Sequence, residues 1–109
     1  MIYLASPYSH PDPAVREERF RAACRATAAL LRSGRAMYSP VVFGHPLTNY
    51  DLPTGGEFWA TFDREHLLRC DRVTVLMLEG WRESEGVRTE MQWAEEYGIA
   101  VSLMEPAGA

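Results

Sequence analysis

Hydrophobic and polar positions in the first third of the chain predict a strand followed by a helix. Residues 1–5 are mostly apolar, which is typical of a buried strand, and the polar loop that begins at Ser6 ends it. Asp12 and Pro13 then start a helix, since aspartate caps free N–H groups and proline suits the first helical position. Gly34 ends this helix, along which apolar residues recur at helical spacing: Phe20, Cys24, Ala28 and Leu31.

A second strand and a long connection follow. Residues 36–39 predict the strand. Residues 40–56 contain so many proline, glycine, asparagine and aspartate residues that we expect no regular structure there. A loop of this length in a small domain is often functional.

The second half of the chain predicts four more elements. They are a helix over residues 57–70, a strand over 73–78, a helix capped by Ser84 and ended by Gly98, and a strand over 99–104. Trp59 and Phe62 lie at helical spacing in the first of these helices, and we expect them to belong to the core.

This alternation of strands and helices predicts the fold class. Alternating elements with short buried strands form parallel sheets joined by right-handed crossovers. We therefore expect one α/β domain over residues 1–109, a Rossmann-like or flavodoxin-like three-layer sandwich with a small parallel sheet of four to five strands. Such folds bind ligands beyond the carboxyl ends of their strands, so the candidate site lies there.

Charge and composition exclude several classes of function. The net charge is −4, whereas a nucleic-acid polymer is bound by a concentrated basic surface. All 11 basic residues are arginine, which excludes a Walker A loop, a Schiff base and a lysine general base. A small-molecule nucleoside or nucleotide remains a possible ligand.

The remaining composition predicts a cytoplasmic protein without metal or cofactor. Cys24 and Cys70 are far apart, without the spacing of a metal or redox pair, and we expect both in the core. The chain begins directly with a strand-like run, and no apolar segment approaches the roughly 20 residues that span a bilayer. We therefore expect no membrane segment. The histidines lie outside any cluster of metal ligands, namely His10, His45 and His66.

Carboxylates near the third predicted strand are the strongest candidates for chemistry. They permit a paired-carboxylate mechanism and are Asp63, Glu79, Glu83, Glu85 and Glu90. Glu90 shares a helical turn with Val87 and Met91, so its carboxylate points toward the core edge. A partner such as the Tyr3 hydroxyl would keep it ionised, and a surface arginine is the alternative partner.

Three segments of the chain resemble the nucleoside 2-deoxyribosyltransferase superfamily, and within it the bacterial DUF1937 branch. They are the opening Tyr3-Leu4-Ala5-Ser6-Pro7-Tyr8-Ser9-His10, the strand that begins at Asp71, and the run from Gly80 to Glu90. The resemblance covers nearly the whole chain. It implies that Glu90, in the element Gly86 to Glu90, is the nucleophile, that Asp63 contacts the base, and that Tyr3 orients Glu90.

Each of these roles has a simpler structural alternative. Asp63 would otherwise pair with Arg64 or another arginine one turn away, and Tyr3 would be an ordinary core aromatic. With the resemblance, Glu90 would attack the anomeric carbon and Asp63 would hold or protonate the departing base.

Further residues are candidates for substrate binding. The loop before the first helix offers hydroxyls, an imidazole and backbone N–H groups from Ser6, Pro7, Tyr8, Ser9 and His10, although a plain turn would look the same. His45 lies on the long connection at the expected mouth of the site, where it contacts ligand or is simply exposed. Trp81 follows Gly80 and is the better candidate for stacking on a base, and Gly86 belongs to the nucleophile element.

Three functions agree with these residues. A nucleoside deoxyribosyltransferase and a nucleotide N-glycoside hydrolase differ only in whether a second base or water accepts the sugar. The alternative is a non-catalytic nucleotide-binding or sensing module on the same fold. The resemblance and the aromatic residues of the second long helix also predict a homo-oligomer.

Overall fold

The computed structural model describes residues 1–106 as four strands, four α-helices and one 3₁₀ helix. In chain order they are β1 (Ile2–Ala5), α1 (Pro13–Arg32), β2 (Met37–Tyr38), α2 (Pro40–Gly44), the 3₁₀ helix (Pro46–Tyr50), α3 (Gly56–Leu67), β3 (Arg72–Leu76), α4 (Glu85–Glu96) and β4 (Ala100–Met104).

The four strands form one parallel sheet in the order β2-β1-β3-β4. Successive strand residues point to opposite faces. On one face Leu4 and Leu76 pack against Ala26 of α1, and on the other Tyr3 packs in a cluster with α3 and α4 residues such as Leu67 and Ala94. The predicted α/β sandwich of Rossmann or flavodoxin type is confirmed, with four strands.

Helix α1 begins as predicted but buries a different face. Asp12 caps it, since its Oδ1 accepts the N–H of Ala14 at 2.9 Å, and Pro13 is the first helical residue. The buried residues are Ala22, Ala23 and Ala26, whereas the predicted Phe20, Cys24 and Ala28 are half-buried and Leu31 is 56% exposed. The small alanine side chains allow close packing on the sheet, which the apolar spacing did not indicate.

The prediction of no regular structure over residues 40–56 is wrong. Ser39 caps α2 by accepting the N–H of Val42 at 3.1 Å, and Pro40 occupies the first turn. Pro46 is the first residue of the 3₁₀ helix, which has no side-chain cap, and Asp51 follows the helix in the left-handed region with φ 65°. Proline supports the first turn of a helix, so these prolines begin short helices rather than prevent them.

Helix α3 is less buried than the sequence predicts. Its one buried residue is Leu67, while Trp59 is half-buried and Phe62 is 48% exposed. The predicted core positions of Trp59 and Phe62 are therefore wrong. Cys70 is buried as predicted, and Cys24 is only half-buried.

Within residues 1–106, no helix combines the length and apolar composition needed to cross a bilayer. The same part of the chain holds no group of three or more histidine, cysteine, aspartate or glutamate residues placed to bind a metal ion.

Candidate active site

A cleft of about 710 Å³ opens beyond the carboxyl ends of β1 and β3. Its walls come from the loop after β1, from α2 and α3, and from the β3–α4 loop with the first turns of α4. Both Glu90 and Asp63 line it. The topology therefore brings together two carboxylates that are 27 positions apart in the chain.

Glu90 is held at the base of the cleft by α4. Ser84 caps this helix by accepting the N–H of Val87 at 3.2 Å, and the helix buries Val87, Glu90 and Ala94 against the sheet. The Tyr3 hydroxyl donates a hydrogen bond to Glu90 Oε2. In residues 1–106 no arginine forms an ion pair with Glu90, so the surface pairing that the pattern left open does not occur.

Burial dominates the electrostatics of Glu90, which is only 7% exposed. Loss of hydration raises its pKa to about 8, the hydrogen bond from Tyr3 lowers this pKa, and the nearby Asp63 charge raises it. The sequence led us to expect that the Tyr3 hydroxyl would keep Glu90 ionised. Its hydrogen bond does favour the ionised form, but burial has the larger effect on the pKa of Glu90.

Asp63 lies on α3 and also has a carboxyl group with an unusual environment. Burial raises its pKa to about 6, and the neighbouring His66 acts in the opposite direction. Its Oδ1 is buried and has no hydrogen-bond partner among the described residues. The expected alternative pairing with Arg64 is absent there, because Arg64 donates to the Tyr97 hydroxyl instead.

Tyr3 is completely buried in β1, and a second tyrosine lies beside it. Burial and the Glu90 charge raise the pKa of Tyr3, so its hydroxyl remains a neutral donor. Tyr38 is the register partner of Tyr3 on β2, with ring centroids 6.0 Å apart. Burial, Asp63 and Glu90 raise the pKa of Tyr38. Tyr38 was not among the predicted site residues, although its place at the end of the second predicted strand pointed to the same edge of the sheet.

Only some residues of the loop after β1 line the cleft. Ser6, Tyr8 and Ser9 line the cleft, whereas Pro7 is buried without lining it and His10 lines a different cavity. The Ser6 hydroxyl is buried without a hydrogen-bond partner among residues 1–106. Buried polar groups are normally paired, so Ser6 and Asp63 offer two unused groups beside the cleft.

His45 lines the cleft as the middle member of a hydrogen-bonded chain. The Tyr8 hydroxyl lies 2.7 Å from His45 Nδ1, and His45 Nε2 lies 2.9 Å from the Glu17 carboxylate. The imidazole also packs against Phe20, with centroids 4.5 Å apart. His45 is therefore a fixed, half-buried residue, and Glu17 is a partner that the sequence analysis did not identify.

Trp59 and Trp81 each occupy the environment that we expected for the other. Trp81 packs against the core cluster, and Cζ of Arg82 lies 5.0 Å from the centroid of its ring. Trp81 does not line the cleft. Trp59 lines the cleft and donates its indole N–H to the Pro53 carbonyl at 2.7 Å. Gly86 lines the cleft at the start of α4.

These features define the molecule as a parallel α/β protein with a cleft that contains two carboxyl groups of raised pKa. The chain belongs to the family described as Domain of unknown function (DUF1937), whose sequence model matches residues 1–106. A search among curated proteins found no match.

Proposed function

We propose that this protein cleaves the N-glycosidic bond of a (deoxy)nucleoside or nucleoside 5′-monophosphate and transfers the sugar to another base or to water. The observation that carries the proposal is the pair Glu90 and Asp63 in one cleft, with the Tyr3 hydroxyl bonded to Glu90. These three residues are also those that the resemblance to the nucleoside 2-deoxyribosyltransferase superfamily assigns to catalysis.

In the first step the ionised Glu90 attacks the anomeric carbon. Tyr3 binds Oε2, which leaves Oε1 as the attacking oxygen. The carbon–Oε1 bond forms as the carbon–nitrogen bond breaks, and the electron pair goes to the base nitrogen. Asp63 is mostly protonated at pH values below its pKa of about 6. In this form it gives its proton to the departing base.

In the second step the acceptor attacks the same carbon from the opposite side. The acceptor is water or a second base, and its proton goes to the Asp63 carboxylate. The carbon–Oε1 bond breaks and Glu90 is released as a carboxylate, so the sugar keeps its anomeric configuration.

The second candidate is a non-catalytic nucleotide-binding module, and the protonation of Glu90 favours it. A carboxyl with a pKa of about 8 is mostly neutral at neutral pH, where it donates a hydrogen bond to a ligand. A binding site can use that donor without any nucleophile.

Chromatography of reaction mixtures separates these candidates. The protein is incubated with deoxynucleosides and their 5′-monophosphates, with and without an acceptor base. We expect base release or base exchange that falls by at least about 10³-fold in Glu90→Gln, because the amide is no nucleophile. The matched control is Glu95→Gln, an exposed position on the same helix, which should leave the rate unchanged.

Each result has a definite meaning. Base exchange identifies a transferase, and base release without exchange identifies a hydrolase. Binding without turnover of any member of the panel would contradict the enzymatic proposal and favour the sensing module.

We also propose that the protein is cytoplasmic and acts as a homo-oligomer. The exposed aromatic rings of Phe58 and Phe62 on α3 support self-association, because such a surface is unfavourable in water. Light scattering should give a mass above that of one chain, and a monomer at working concentration would exclude the oligomer.

A further inference from the structure

A second cavity of about 610 Å³ lies beside the cleft. The first half of α1, the loop after β3 and Pro106 form its walls. Arg19 and Gly80 belong to both the cleft and this cavity. The two spaces therefore meet at the Arg19 side chain.

The guanidinium of Arg19 is fixed at this junction. Its Nη1 donates to the Ser9 carbonyl at 2.9 Å and its Nη2 to the Glu79 carbonyl at 3.5 Å. It also lies against Gly80, where an added Cβ would be 3.1 Å from Nη2. Gly80 has φ 87°, which favours glycine, so this turn permits the close approach of the guanidinium.

The charge of Arg19 is not neutralised by the part of the chain that the structure describes. No carboxylate of residues 1–106 forms an ion pair with it. Two of its five N–H groups point to carbonyls, which leaves three for a ligand. By contrast, Arg25 on the wall of the second cavity pairs with Glu18 at 3.2 Å. Arg19 is thus the unneutralised guanidinium of the junction.

The distribution of charge orients a ligand. Five carboxyl side chains line the cleft, and Arg19 is the one arginine among the described residues that line it. An anionic group of the ligand therefore binds at Arg19. Guanidinium groups bind phosphate oxygens with paired, charge-assisted hydrogen bonds.

We propose that the cleft and the second cavity bind the two halves of one ligand, a nucleoside diphosphate joined to a sugar or a second nucleoside. The nucleoside lies in the cleft, the diphosphate crosses Arg19, and the remaining group fills the second cavity. Each space has the volume of an ordinary small-molecule site. Placing the nucleoside in the cleft rests on the proposed function.

Calorimetric titration of two ligand series tests the proposal. One series is adenosine, AMP, ADP and ADP-ribose, and the other is uridine, UMP, UDP and UDP-glucose, with chromatography to check that each ligand stays intact. In at least one series we expect about tenfold tighter binding from nucleoside to monophosphate, and again from monophosphate to the complete two-part ligand.

Three variants test which residues cause each gain in ligand affinity. Ala14→Trp fills the second cavity from an exposed position and should remove only the gain beyond the monophosphate. Arg19→Gln should remove both gains. Arg32→Trp, an exposed position on the same helix outside both spaces, is the control and should change neither. Thermal melting of each variant checks that it folds.

The outcomes are distinct from those of the glycosidase experiment. Equal affinity for the monophosphate and the two-part ligand in both series would overturn the proposal, as would a gain that Ala14→Trp leaves intact. An affinity gain that Ala14→Trp removes, without base release that depends on Glu90, would support the two-part site and reject the proposed chemistry.

Discussion

The two faces of the sheet are built from different kinds of residue, although the same strands supply both. On the α1 face, Leu4 and Leu76 pack with Ala26 in an apolar cluster. On the face covered by α3 and α4, the neighbouring position Tyr3 carries a hydroxyl bonded to the buried Glu90. One face thus serves packing, and the other holds the ionisable groups of the cleft.

This difference shows what the cleft costs in stability. A carboxyl buried away from water is unfavourable when ionised, and the raised pKa of Glu90 and Asp63 expresses that cost. The apolar face has no such groups and stabilises the fold at any pH. Mutations on the two faces should therefore differ in their dependence on pH.

The largest effect on stability is expected on the apolar face. Leu76→Ala removes a completely buried side chain and should lower the free energy of unfolding by about 2–5 kcal/mol. Urea denaturation at several pH values measures it, and the loss should be the same at each. A loss that changes with pH would contradict the separation of the two faces.

A smaller effect, opposite in sign, is expected for Glu90→Gln. Folding raises the pKa of Glu90 from 4.5 to about 8, so its protonated carboxyl contributes stability that is complete below about pH 4.5. This contribution is lost as the pH rises through about 8. Wild-type protein should therefore lose about 3 kcal/mol from this group between about pH 5 and pH 8. The glutamine variant, which cannot ionise, should not.

Urea denaturation across this pH range measures the difference between the two proteins. Glu95→Gln at an exposed position of α4 is the matched control and should follow the wild type. Parallel pH curves for wild type and Glu90→Gln would show that Glu90 ionises without cost, and that the burial argument is wrong.

The sequence predicted the strands better than the faces of the helices. Residues 73–78 and 99–104 form apolar runs that allow little other structure; β4 lies within the second run, and β3 overlaps the first but begins one residue before it. The buried face of α1 was predicted from its larger apolar side chains. In the structure the alanines are buried instead, because small side chains let the helix pack closely on the sheet. Short helices in residues 40–56 depend on caps such as Ser39, which composition alone does not reveal.

The candidate site was predicted where the chain geometry is local and missed where it depends on distant contacts. Glu90 follows from helical spacing, whereas its contact with Tyr3, 87 positions away, was expected from the resemblance. The pairing of Tyr38 with Tyr3 requires the register of β1 and β2, and the bond from His45 to Glu17 requires the placement of α2 on α1. The raised pKa values depend on burial, which no spacing supplies.

The smallest and most specific effect is expected for Tyr3→Phe, which removes one hydroxyl from the polar face. The proposed mechanism needs Glu90 ionised and Asp63 protonated, so kcat/KM should be highest between about pH 6 and pH 8 and fall on both sides. The Tyr3 hydroxyl lowers the pKa of Glu90, so its loss raises that pKa further. The alkaline limb should then move to higher pH and the maximum should fall by about 10- to 100-fold.

The pH profile of kcat/KM measures this shift, and Tyr38→Phe is the matched control. Tyr38 lies beside Tyr3, but the hydroxyl bonded to Glu90 is that of Tyr3. Tyr38→Phe should therefore leave the alkaline limb in place. A Tyr3→Phe profile that only falls in height would show that the Tyr3 hydroxyl does not set the pKa of Glu90, and the face with the cleft would then differ from the apolar face by its two carboxyl groups rather than by a tuned hydrogen bond.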